Sequence, residues 1–420
     1  MHLKTRNVNT AFRELVGLFA DTEDGPKRGD IVVRQPSRNG NVLRIDEPVT
    51  ITYERPRERV LFNAARDANP YMHLYEALWM LAGRNDVEPV AYYAKQMREY
   101  SDDGKTLNGA YGYRWRNGFE RCCRDGESND EDQLNRIVEH LKSDPNSRRA
   151  VLQMWNVSDD LMKIGGFDTC PRCDTPQYPH CTHEKWVGVP PNKSKASKDV
   201  CCNLSVMFSI RIKSEHSGDW DGTYGYQDNK YLDITVTNRS NDLVWGLLGA
   251  NYVHFTFLQE YMAARLGCEV GVYHHFTNNL HVYDWNWKPE EWLKDAHLTD
   301  YGFHIGAGAE PEYSYPNGES NKFIPFVRDP AVFEKELPEF VDHHSGKLRA
   351  DELEGTWTEP FLQHTAGLML CAFACYKEKD FHGAFTMIDQ VEADDWRTAG
   401  RAWLERRHAK RKEAVGASAD

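Results

Sequence analysis

Apolar and polar positions alternate along this chain with two periods, and the two are mixed without strict strand–helix repetition. Residues 28–62 read as short extended segments broken by turn residues, RGDIVVRQPSRNGNVLRI and then VTITYERP. In NPYMHLYEALWMLAGRND the apolar positions recur at helical spacing, with Asn69-Pro70 as a start signal and Gly83 as a stop. Residues 132–143 (DQLNRIVEHLKS) predict an amphipathic helix with Ile137, Val138 and Leu141 on one face. RRAVLQMWNV, CNLSVMFSIRI and YLDITVTNRS are strand-like, and NYVHFTFLQEYMAARLG is a long helix ending at Gly267. This order predicts an α+β fold, a mixed sheet with packed helices, rather than a doubly wound one.

Two stretches interrupt the pattern. Residues 163–199 are rich in Pro, Gly, Lys, Cys and His and lie between predicted strands, which reads as an inserted loop. Residues 302–350 carry many Pro, Gly and acidic positions and little periodicity. Helical spacing returns over 359–412. The expected organisation is a main domain over 1–300 containing the insertion, a linker over 301–350, and a helical C-terminal extension over 351–420.

Composition narrows the function classes. With 420 residues, 40% of them hydrophobic and 27% charged, a sizeable packed core is expected and global disorder is not. A net charge of −13 argues against nucleic-acid or membrane-surface binding, since both need cationic faces. No apolar run approaches the ~20 residues of a membrane span. The opening MHLKTRNVNTAF lacks a signal peptide's apolar stretch. A cytoplasmic location is therefore expected. There the ten cysteines are thiols, ligands or a nucleophile rather than disulfides.

The segment KDVCCNLSVMF sets a Cys pair before a strand. A lone cysteine is most often a buried core residue. The alternative is a nucleophile whose thiolate is favoured by nearby cations. The following LDITVTNRSNDLVWGLLGANYVHFTFLQEYMA decides for the second, because it resembles the thymidylate synthase family. There the nucleophile strand is followed by a strand ending in Arg-Ser-x-Asp, a Gly-containing turn, an Asn and a long core helix. Arg239, Ser240, Asp242, Gly246 and Asn251 stand in those places. Upstream, EALWMLAG is similar to the family's Glu-bearing helix and gives Glu76, and YGYRWR gives Tyr111. SRRAVLQMWN gives Arg148 and Arg149, NNLHVYDWN gives His281 and Tyr283, and Arg34 in VVRQPSRNG takes the place of an N-terminal phosphate arginine. The matches run in family order from about residue 30 to residue 287.

The resemblance implies a thymidylate-synthase-like fold and a reaction: transfer of a one-carbon unit from 5,10-methylenetetrahydrofolate to carbon 5 of a pyrimidine deoxynucleotide monophosphate. Aligning Phe208 with the family's strand phenylalanine makes Cys202 the nucleophile and puts Cys201 where a proline usually stands. A thiolate adding to carbon 6 turns carbon 5 into a nucleophile. By the same resemblance Glu76 and its neighbours meet charge on the ring oxygen, Tyr111 is the candidate base, Asp242 joins them as a catalytic residue, and Asp242 and Gly246 belong to the folate side. Arg34, Arg148, Arg149 and Arg239 suit a phosphate dianion, with Ser240 adding a hydroxyl. In the family the Ser-Arg-Arg arginines reach the neighbour's site, which implies a homodimer.

The departures from the family bear on substrate and product. Asn203 replaces the His that follows the nucleophile, and Asn279 replaces an Asp before His281. GLLGAN is one residue longer than usual; Asn251 as the base-reading residue favours dUMP over dCMP, whereas Ala250 in that place would remove the argument. Synthases have Ile-Trp-Asp-x-Trp where this chain has Gln96-Met97-Arg98-Glu99-Tyr100. Without that indole wall, water can reach the exocyclic methylene and leave a hydroxymethyl group. The end VGASAD also lacks a synthase-like lid. The expectation is a phage-type dUMP hydroxymethylase; the alternatives are a methylating synthase, a dCMP hydroxymethylase and an inactive zinc-bearing homologue. In the insertion, TCPRCDTPQYPHCTHEKW offers Cys170, Cys173, Cys181 and His183 as a structural zinc knuckle.

Overall fold

The computed structural model describes residues 1–20, 31–37, 39–118, 120–122, 128–130, 132–161, 197–218, 224–294, 324–353 and 355–416. Strand β1 (His2–Thr5) leads into helix α1 (Val8–Phe19), capped by Asn7, whose side chain accepts from the Asn9 and Thr10 amides. Three strands follow as expected: β2 (Val32–Ser37), β3 (Gly40–Ile45) and β4 (Val49–Tyr53). Helix α2 (Pro70–Leu81) starts where Asn69 accepts from the Met72 amide and Pro70 fills the first turn. All its residues but His73 are buried, so its hydrophobic run reflects a central helix rather than a surface one. Helix α3 (Val87–Tyr93) and the short α4 (Tyr111–Arg116) pack beside it. Amphipathic α5 (Gln133–Ser143) follows, burying the predicted Ile137, Val138 and Leu141.

The main sheet is completed by β5 (Val151–Gln153), β6 (Asn203–Gly218), β7 (Tyr224–Asn238) and, beyond a small-sheet strand β8 (Asn241–Asp242), by β9 (Glu269–Thr277). Its order is β1-β4-β9-β7-β6-β5. The β1/β4 and β9/β7 pairs are parallel and the others antiparallel, which makes the sheet mixed. A helical segment α6 (Leu243–Ala250) feeds the buried helix α7 (Asn251–Leu266), which ends with Gly267 at φ 64°. The second sheet joins β8 to β10 (Leu280–Tyr283), then β3 and β2. The α+β expectation holds. Among the described residues no helix is long and apolar enough to cross a membrane.

On one face of the main sheet Leu152, Val206, Phe208, Leu232, Ile234 and Val236 are buried. On the other, Val151 and Met207 pair directly and are 42% and 40% exposed.

The linker expectation needs correction within 301–350. Residues Pro330–His343 form a helix, α8, whose first amides are capped by Asp329 and whose Phe333, Leu337, Phe340 and Val341 are buried. The internal Pro338 and the acidic residues around it hid an i, i+4, i+7, i+8 stripe. The extension forms helices Gly367–Lys377, Phe381–Ile388 and Asp394–Gly416, as expected, but shares the main core. Tyr71 of α2 donates to the Gly400 carbonyl at 3.0 Å, and Trp403 packs edge-on against it.

Candidate active site

The turn before β6 is held from both sides. Asp199 accepts from the Gly109 amide at 2.7 Å, and the Asn108 side chain donates to the Asp199 carbonyl at 2.9 Å. Two residues beyond Gly109 stands Tyr111, stacked on Phe255 of α7 at 5.7 Å. Its neighbour Gly112 lets α4 lie against α2, since a Cβ there would fall 1.9 Å from the Met80 carbonyl oxygen. Burial, with the nearby cysteines adding, pushes Tyr111's ionisation far above the ordinary phenol value. Tyr111 is thus neutral and suited to relay a proton through water rather than to act as a phenolate.

The two cysteines part company. Cys201 is buried, points its Sγ at the Asn203 carbonyl (3.1 Å), and burial drives its thiol well above the usual range. Cys202 is only half-buried, and Arg239 Nη2 lies 3.7 Å from its sulfur. Arg239 is itself fixed, donating through Nε to the Cys201 carbonyl (2.9 Å) and through Nη2 to that of Val200 (3.1 Å). A fixed guanidinium beside a partly exposed sulfur is the setting of a thiolate nucleophile.

Glu76 is buried on α2, and Nε2 of His254 on α7 lies 3.0 Å from its Oε2. Asp242 caps α6, accepting from the Val244 and Trp245 amides at 2.9 and 2.5 Å. Burial outweighs those bonds and the Arg66 charge and pushes its carboxyl up to about 6. Arg66 donates to the Val244 carbonyl (3.0 Å from Nη2) and stacks 4.5 Å from the Trp245 ring. Gly246 is a place of close approach: a Cβ there would stand 2.2 Å from Asn241 Oδ1 and 3.1 Å from Asn251 Nδ2. Within GLLGAN, Gly249 interrupts the helix with φ −121° and ψ −121°, and Asn251 then opens α7 with its amide on Asn241.

On the small sheet, His281 sits edge-on to Tyr283 at 5.4 Å and Nδ1 lies 3.1 Å from Asn279 Oδ1. Burial raises the Tyr283 phenol, which also senses the charges of Asp242, Cys202 and Tyr100. Arg34 is exposed and paired with Asp284 at 3.1 Å. Ser240 follows Arg239 and is half-buried, and Arg148 and Arg149 are exposed at the approach to β5. No described contact ties those two arginines to Cys202.

Cys170, Cys173, Cys181 and His183 lie outside the described residues. Among the described residues no group of three or more His, Cys, Asp or Glu could hold a metal ion. Sequence reasoning missed Arg66, His254, Asn241 and His275. The helical spacing that puts His254 on α7 was readable; nothing local to ARDANPY marks Arg66 as buried.

A mixed sheet that presents a half-buried cysteine beside a fixed arginine is the setting of a cysteine nucleophile. A family model described as thymidylate synthase matches residues 51–175. A deoxyuridylate hydroxymethyltransferase of Pseudomonas phage M6 is 38% identical over 411 residues, covering 97% of this chain and 94% of that protein. One from Bacillus phage SP01 is 32% identical over 72% of this chain and 61% of its own length. A thymidylate synthase of Streptococcus mutans serotype c is 27% identical over 42% of this chain and 50% of its own length. The chain belongs to the thymidylate synthase family, and it is a folate-dependent one-carbon transferase.

Proposed function

We propose that this enzyme converts dUMP to 5-hydroxymethyl-dUMP, using 5,10-methylenetetrahydrofolate as the one-carbon donor. The observation that carries the reading is the segment Met97–Tyr100, which reads Met-Arg-Glu-Tyr and has no indole in it. The near-full-length likeness to the phage M6 deoxyuridylate hydroxymethyltransferase supports it. The residues fit a folate: the Trp245 indole is 45% exposed and adjoins Asp242 on the same segment, a flat face beside a polar group. When bound, the folate supplies a carbon at the oxidation level of formaldehyde.

Cys202 adds through sulfur to carbon 6 of the uracil, and the electron pair of the 5,6 double bond moves toward the ring oxygen. Glu76, held beside His254, serves that oxygen through donors and ordered water. Carbon 5, once bonded to the one-carbon unit, loses its proton by way of water at Tyr111, and the electron pair left behind breaks the carbon–nitrogen bond, so that tetrahydrofolate leaves and an exocyclic methylene remains on the ring. Water then adds to the exocyclic methylene and the Cys202–carbon 6 bond breaks. Arg239, Ser240 and Arg34 face the phosphate dianion, and Arg148 and Arg149 complete the grip from a second subunit. Such a homodimer would cover the bare sheet face that exposes Val151 and Met207. The net charge of −13 suits a cytoplasmic enzyme of small anions held by local arginines, not a nucleic-acid or membrane binder. Cys170, Cys173, Cys181 and His183 are proposed as a structural zinc site on sequence pattern alone.

Mass spectrometry of the products from dUMP and from dCMP tests the reading. The expected products from dUMP are 5-hydroxymethyl-dUMP and tetrahydrofolate. Thymidylate with dihydrofolate overturns the hydroxymethyl outcome, and preferential turnover of dCMP overturns the choice of base.

A further inference from the structure

An asparagine facing a pyrimidine does not by itself choose between uracil and cytosine. Its amide offers one donor edge and one acceptor edge, and a half-turn about Cβ–Cγ exchanges them. Uracil presents an N3–H donor and an O4 acceptor, whereas cytosine presents the reverse. Selectivity therefore needs something that stops the half-turn.

In this structure Asn251 is held by a buried chain of side chains that ends on a tyrosine. Asn251 Nδ2 donates to Asn241 Oδ1 at 3.1 Å. Asn241 Nδ2 meets His275 Nε2 at 3.1 Å, and His275 Nδ1 lies 2.6 Å from the Tyr273 hydroxyl. An amide nitrogen can only donate, so His275 Nε2 is the acceptor and the ring proton sits on Nδ1. Burial holds the His275 ring neutral, its ionisation pushed down to about 3, so no second ring proton competes for Asn241. The backbone fixes the same residues: the Asn241 N–H donates to the Asn279 carbonyl at 2.9 Å, and the Asn251 N–H donates to that of Gly246. Gly246 leaves the space in which the two amides meet.

We propose that Asn241, backed by His275 and Tyr273, is a positioning residue that locks the Asn251 amide in the orientation that reads uracil and refuses cytosine. This rests on the reading of the enzyme as acting on dUMP through Asn251. With one N–H committed to Asn241, Asn251 keeps one N–H for O4 and its Oδ1 for N3–H. Turning the amide toward cytosine sets Oδ1 against Asn241 Oδ1, two acceptors face to face, and strands an N–H.

The test compares dUMP and dCMP on the full-length chain, as binding constants and as kcat and KM, in the wild type, Asn241→Leu and His275→Phe. The expected result for Asn241→Leu is a loss of about tenfold or more in the preference for dUMP, carried by KM, with kcat at saturating dUMP changed much less. His275→Phe shifts the ratio the same way by a smaller factor. A merely destabilised preparation lowers both affinities together and leaves their ratio alone. If Asn241→Leu does not fold, the ratio in His275→Phe decides. A wild-type preference retained in folded variants overturns the lock and leaves the function standing. A wild type that does not prefer dUMP overturns the functional reading and the lock with it.

Discussion

Arg239 is bound to the nucleophile's own turn twice over: its backbone N–H donates to the Cys202 carbonyl at 3.0 Å, and its side chain returns to bring Nη2 within 3.7 Å of Cys202 Sγ. The guanidinium face also lies 5.6 Å from the Trp155 ring. A cation so tethered does not have to be ordered beside the sulfur at each turnover.

That asymmetry between adjacent cysteines is directly testable. Cys202→Ala should abolish the covalent complex with 5-fluoro-dUMP and methylenetetrahydrofolate, seen as a mass shift of the denatured protein. Cys201→Ala should keep the complex and lower stability by about 1 kcal/mol, because only a small buried thiol is removed. A complex that survives Cys202→Ala would move the nucleophile elsewhere.

Asp242 makes stability depend on pH in the direction opposite to a salt-bridged acid. Its folded carboxyl sits at about 6 against an ordinary 3.8, so the folded state holds the proton more tightly. The stability this confers is complete below about 4 and lost as pH rises through about 6. Asp242→Asn keeps a helix-capping oxygen and removes the titration. Its melting temperature relative to wild type should climb between pH 4 and 6 and level off above, by the equivalent of on the order of 3 kcal/mol. A pH-independent difference would show that Asp242 is ionised throughout.

The C-terminal helices should behave as core, not as a detachable addition. Trp403 is 3% exposed and packs on Tyr71, Phe373 and Tyr376. Trp403→Ala should cost about 3–5 kcal/mol, read from a single cooperative urea transition. A separate early transition with activity intact would restore the independent extension.

By the resemblance, Met97 is proposed to stand near the place where synthases carry the shielding indole. Met97→Trp should divert part of the flux from 5-hydroxymethyl-dUMP to thymidylate, with dihydrofolate rising in step as the carbon is reduced instead of hydrated. Unchanged product ratios would place the water's route elsewhere.

Much of this was legible because local signals agreed with tertiary demands. Asn69-Pro70 and Gly267 fixed the ends of two buried helices, and the alternation in CNLSVMFSIRI gave the strand behind Cys202. The small sheet was half-seen: β3 and β2 read as strands, but β10 is four residues long and owes its existence to pairing with β3 and β8. Arg66 and His275 were invisible because their significance comes from neighbours 178 and 34 residues away in sequence. Helix α8 was lost to Pro338, whose effect on periodicity outweighed a clear Asp329-Pro330 start.

The bare sheet face leads to the last prediction, which separates a shared site from a self-contained one. Arg148 and Arg149 are exposed at the edge of the sheet whose outer face shows Val151 and Met207. If two copies join through that face and lend each other arginines, Cys202→Ala and Arg149→Ala are defective in different halves of one site. Each alone should be nearly inactive on dUMP. Unfolded together and refolded, they should regain about a quarter of wild-type activity, because half the dimers are mixed and each has one intact site. Met207→Glu, which charges the centre of the face, should give a monomer by light scattering and prevent the rescue. Recovery no better than the two variants measured separately would mean that each chain supplies its own arginines.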